Sequence, residues 1–140
     1  MSSPRMPAQS SSRPPRWIRP VAVFAALFGA LTLYSGGMVL FGPDSARAAA
    51  GDYVPFVVWF NFIAGFFYII TAAGMWMGKS WAVIAAVALA AAGLIVFAAL
   101  GLYILTGGAF EARTIGAMTL RTGFWLATAA GLVKAEKSRA

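Results

Sequence analysis

Four long runs of apolar residues, at 21–41, 54–77, 81–106 and 114–133, constrain this chain more than any other feature of it. They hold 21, 24, 26 and 20 residues, and at about 1.5 Å per helical residue each reaches or exceeds a hydrocarbon layer of about 30 Å. The runs are continuous rather than alternating, so strands are not expected, and a barrel of so few strands could not close. With 61% hydrophobic and 11% charged residues in 140, against roughly 25% charged in an ordinary soluble domain, the chain lacks the polar surface that a water-facing fold of its size needs. The expected fold is all-α: a polytopic membrane protein, built as a four-transmembrane-helix bundle with short loops.

Turn chemistry falls between the runs. Gly42-Pro43 is expected to close the first helix and Pro55 to sit in the first turn of the second, where a missing N–H does no harm. Gly78-Lys79-Ser80 predicts a tight turn in which Ser80 caps the third helix, and Gly107-Gly108 ends that helix. So short a link between the second and third runs implies an antiparallel hairpin.

Residues 1–20 hold Arg5, Arg13, Arg16 and Arg19 among Ser and Pro without an acid, which predicts a disordered basic arm drawn to anionic headgroups. Trp17 is its one aromatic residue, too little stacking surface to suggest nucleic acid as a partner. Residues 21–133 form the transmembrane domain and residues 134–140 a basic tail. With the N-terminus inside, Arg5, Arg13, Arg16, Arg19, Lys79, Lys134, Lys137 and Arg139 lie on the cytoplasmic side and only Arg47 and Arg113 outside, with Arg121 within the fourth run. Eight against two under the positive-inside rule places both termini in the cytoplasm of a bacterial-type inner membrane. The stretch SARAAAGDY also resembles a signal-peptidase site ending at Ala50. The 21-residue run before it exceeds the roughly 7 to 15 residues of a signal-peptide core, so a retained span is expected.

The chemistry is bounded by absences. The sequence has no Cys and no His, which removes thiol redox relays, thiolate or imidazole metal sites, haem attachment and Ser-His triads. The acids Asp44, Asp52, Glu111 and Glu136 all lie outside the apolar runs, leaving no carboxylate for proton coupling at mid-membrane. Small proton-coupled multidrug exporters, of similar size, need a carboxylate in the first span, and the disulfide-forming epoxide reductases need cysteines. No enzyme, cofactor or metal is expected.

Within the runs the polar residues are few. Arg121 and Asn61 each sit seven residues from the outer end of their runs, and Tyr34, beside Ser35, seven from the end of its own. A layer of Tyr34, Ser35, Asn61 and Arg121 is therefore expected about 10 Å below the outer surface, with Tyr103 slightly above it. Thr114, Met118, Arg121, Trp125 and Thr128 recur at helical spacing and mark one face of the fourth helix. Gly123, Ala127 and Gly131 recur every four residues as a small-residue ridge, expected to pack within the bundle. Glu111 and Arg113 read as a solvated helix start. Three functions are in view, the third being a channel or transporter built as a homodimer. The first is a non-enzymatic accessory or assembly subunit of a larger respiratory or transport complex, with lipid, other membrane subunits or a second copy as partners. The second is a binder or carrier of a lipid headgroup, quinone or anion in an outward-facing pocket around Arg121.

Overall fold

Proline and glycine set most of the helix ends. In the computed structural model, which describes residues 15–139, the chain is all-helical: α1 (Ile18–Phe41), α2 (Asp44–Ala50), α3 (Pro55–Trp76), α4 (Trp81–Leu105) and α5 (Ala112–Arg139). Pro55 occupies the first turn of α3. Helix α3 ends in a Schellman motif: Gly78 has φ 68°, its N–H donates to Met75 and that of Lys79 to Gly74. Gly107, at φ 92°, closes α4 the same way, with N–H bonds from Gly107 to Ile104 and from Gly108 to Tyr103. A positive φ excludes most side chains, so these two turns demand glycine. Ser80 stands at the N-cap of α4 but in helical geometry and makes no capping bond, a correction to its expected role.

Helix α2 is not evident from hydropathy. It follows Pro43, carries Asp44 in its first turn and Arg47 in its last, and stops at Gly51 with φ 68°. Arg47 pairs with Asp44 and donates to the Val39 and Gly42 carbonyls at 3.2 and 3.1 Å. One side chain thereby holds the bend and serves carbonyls that the end of α1 leaves open. At the other end of the chain, the basic arm is expected through residue 20, yet Ile18 to Pro20 already belong to α1. Residues 1–14 lie outside the described residues.

Three helices, Ile18–Phe41, Pro55–Trp76 and Trp81–Leu105, are long and apolar enough to cross a membrane, and this makes the chain compatible with a membrane protein. The distribution of bulk agrees. The interior is built largely from small residues, among them Ala22, Ala25, Ala64, Ala72, Ala86 and Ala90. Large apolar side chains point outward, with Leu31, Ile84, Ile95 and Leu105 exposed by 66, 73, 69 and 84%. A water-soluble bundle would bury the large residues, whereas helices in lipid gain by close backbone approach.

The most extensive contact joins α1 to α3, with α4–α5 and α3–α4 following. Its seam on α1 is Ala22, Ala25, Gly29, Thr32 and Gly36, at alternating spacings of three and four. At the crossing, a Cβ on Gly29 would lie 2.9 Å from the Gly65 carbonyl oxygen, and one on Gly65 3.2 Å from that of Gly29, so the two backbones touch. At one end of the bundle Trp17 packs on Gly131 and Arg19 lies over the Trp76 ring at 4.8 Å. At the other, α2 and the residues after it meet the start of α5. The four long helices thus run alternately up and down.

Candidate functional site

Polar residues from three of the long helices meet at the α2 end of the bundle on a cavity of about 530 Å³. Helix α1 contributes Tyr34 and Ser35, α3 contributes Asn61, and α5 contributes Thr114, Ala117 and Arg121, while Ala46, Ala49 and Ala50 of α2 form a small-residue wall. Glu111 and Arg113 complete it. The inward face of α5 supplies the register: Met118 and Trp125 are fully buried, Thr128 is buried, and Thr114 and Arg121 are half-buried between bundle and cavity. Arg121 falls between two apolar clusters, one holding Met118 with Val54, Val57 and Leu100, the other holding Trp125 with Tyr68 and the alanines.

The guanidinium of Arg121 has few protein partners. Its Nη1 donates to the Thr32 hydroxyl at 2.5 Å, and that hydroxyl donates to the Phe28 carbonyl at 2.7 Å. Its Cζ stands 4.9 Å above the centre of the Phe28 ring, a cation–π contact. Nε is buried without a hydrogen-bond partner, as is Asn61 Oδ1. Among the described residues no carboxylate pairs with Arg121, the one ion pair being Arg47 with Asp44. Five donors and a permanent charge are therefore answered only by neutral groups, the Thr32 hydroxyl, the Phe28 ring face and the neighbouring Tyr68 hydroxyl.

Beyond Arg121 the bundle is closed by rings. Phe28 stacks on Tyr68 at 5.8 Å, Tyr68 meets Trp125 at 5.1 Å, and Phe124 touches both Phe28 and Trp125, at 6.0 and 5.1 Å. This layer separates the cavity from the end of the bundle where Trp17 and Gly131 meet. At the mouth, Glu111 accepts the Asp52 N–H at 2.9 Å, and Arg113 donates to the Ala49 and Ala50 carbonyls, each at 3.2 Å. Glu111, half-buried, and Arg113, exposed, stand at the start of α5 as expected, and their bonds are themselves exposed. They staple the end of α2 to α5 across about sixty residues of chain.

Of the expected polar layer, Tyr34, Ser35, Asn61 and Arg121 line this one cavity. They do not bond to one another: Tyr34 is 70% exposed, and the acceptor for Arg121 is Thr32 rather than Asn61 or Tyr34. Tyr103 stands elsewhere, its hydroxyl donating to the Ala109 carbonyl at 3.0 Å and its ring against Phe56. The small-residue ridge also requires correction. Gly123 and Ala127 face outward, and a Cβ on Gly123 would meet nothing within 4 Å. Gly131 alone has a partner, the Trp17 ring. Sequence reasoning missed Thr32, although its place in the Gly29–Gly36 seam is a signal that could have found it. No family model, curated protein or solved structure matches this chain.

Proposed function

We propose that this chain is a four-span integral membrane protein, non-enzymatic, that binds an amphiphile bearing an anionic or acceptor-rich headgroup in the Arg121 cavity. The carrying observation is that Arg121 opens onto a cavity of about 530 Å³ with no carboxylate partner among the described residues. An arginine at the centre of a span costs about 2.5 to 3.5 kcal/mol on insertion scales; Arg121, about 10 Å below the outer surface, bears part of that cost, and a bound anion adds its charge to what the Thr32 hydroxyl and the Phe28 ring offset. Arg113, Arg121 and Glu111 line the cavity, so two positive charges and one negative leave it net positive. Asn61 adds a side-chain amide for a polar headgroup, and Met38, Val39, Val57 and Val58 offer apolar surface for a tail. The aromatic layer beneath favours a blind pocket over a channel.

The fourth span in this reading is α5, with Arg121 about 10 Å below its outer end. The eight-to-two distribution of Lys and Arg supports both termini in the cytoplasm of a bacterial-type inner membrane, with the cavity toward the outer face. The test is purification in mild detergent with mass-spectrometric identification of bound lipids and quinones. An anionic amphiphile should accompany the wild-type chain and be lost from Arg121→Gln while the fold persists. Unchanged ligand content in the variant rejects the pocket.

A second reading, an accessory or assembly subunit of a larger respiratory or transport complex, draws support from the outward-facing Gly123 and Ala127, which leave room for another helix to approach α5. On that reading, deletion lowers the abundance of a larger complex and the protein migrates in native gels well above its own mass.

A further inference from the structure

A second cavity, a groove of about 610 Å³, runs between α4 and α5 at the opposite end of the bundle. Its floor is small, with Ala90 and Ala129 buried, and the exposed Ala130 beside them. Leu94 and Leu126, both partly exposed, lie at the end toward the middle of the bundle, and Lys134 and Lys137 stand at the mouth. From Leu126 to Lys134, the first cation of the mouth, is eight residues, about 12 Å of helix, less than half of a hydrocarbon layer of about 30 Å. The groove therefore lies within one leaflet, apolar up to Lys134 and cationic where headgroups begin. Both lysines are exposed, and neither forms an ion pair among the described residues. Their methylene stems can lie along the apolar wall while the ammonium groups reach the interface.

We infer that this groove seats an acyl chain of an anionic phospholipid from the leaflet on the side of the chain termini, with Lys134 and Lys137 on its phosphate. Charge complementarity selects a phospholipid over another helix. A second apolar helix would bury the groove and leave the two ammonium groups to water, whereas an anionic headgroup with its tail below fills the groove and adds attraction to both charges. The inference rests on the four-span reading above and is independent of the Arg121 cavity.

The test uses the full chain reconstituted into vesicles of equal phosphatidylcholine and phosphatidylglycerol, released into mild detergent, with retained lipids counted by native mass spectrometry. An Arg121→Gln background separates the groove from the other cavity. Phosphatidylglycerol should be retained over phosphatidylcholine by roughly fivefold or more. The preference should fall to parity in Lys134→Gln/Lys137→Gln, survive in Lys79→Gln, and vanish with both lysines intact in Ala130→Trp, which fills the groove. A preference that persists in the double variant, an equal loss in Lys79→Gln, or a lipid-free dimer would each overturn the proposal. A chain that does not enter the vesicles refutes the four-span reading, and the proposal with it.

Discussion

Arg121 of α5 donates to the hydroxyl of Thr32 in α1, 89 residues away in sequence, at 2.5 Å. That bond joins two helices whose backbones otherwise meet little, and it passes the charge to a hydroxyl already committed to the Phe28 carbonyl. Thr32→Val keeps the shape of the side chain and removes the acceptor. It should cost about 1.5 to 3 kcal/mol of stability in detergent, the range for a hydrogen bond to a charged group. In a double-mutant cycle, Arg121→Gln should couple to Thr32→Val and combine additively with Asn61→Leu. Coupling to Asn61 instead of Thr32 would mean that the interior contacts differ from those described.

Glycine positions should divide by what faces them. Gly29→Ala puts a methyl group 2.9 Å from the Gly65 carbonyl oxygen, and neither backbone can yield without separating α1 from α3. A loss of about 1 to 3 kcal/mol is expected. Gly123→Ala meets open space and should be neutral or gain up to about 1 kcal/mol through helix propensity. Thermal unfolding in one detergent compares the two.

The staple over the cavity mouth gives a local prediction. Arg113→Leu with Glu111→Gln removes the charged ties to the Ala49 and Ala50 carbonyls and weakens the one to the Asp52 N–H. Amide hydrogen exchange across residues 44–52 should then quicken by roughly tenfold or more while α1 and α3 keep their protection. Equal exchange in variant and wild type would show that α2 is held by its own packing.

Topology is checked by labelling. Ala49 is exposed on α2, so a cysteine there should react with an impermeant thiol reagent in intact cells, and a reporter fused after Ala140 should report cytoplasm. Reaction only in inverted vesicles would reverse the orientation.

The sequence carries the long helices openly because apolar length and glycine turns are local properties, and the inward face of α5 can be read from the spacing of Thr114, Met118, Arg121, Trp125 and Thr128. Which residue answers Arg121 could not be read. Depth counted along separate helices brought Asn61 and Tyr34 level with it, but rotation about each helix axis decides contact, and the α1–α3 crossing at Gly29 and Gly65 turns Thr32 inward instead. Helix α2 escaped because seven residues held by Arg47 and Gly51 leave no hydropathic trace. The Gly123 ridge misled for a related reason: small residues permit close approach without specifying from which side.

The position of Arg121 between two apolar clusters has a consequence for biogenesis on the four-span reading. α5 is synthesised after α1 and carries a fixed charge well inside its length, Arg121, whereas Thr32 and the Phe28 ring belong to α1. A translocon handling α5 alone would meet the full penalty of that charge, but with α1 already in the bilayer its partners are waiting. Integration of α5 should then depend on α1, so that a chain from which α1 and α2 are deleted leaves α5 stranded at the membrane surface.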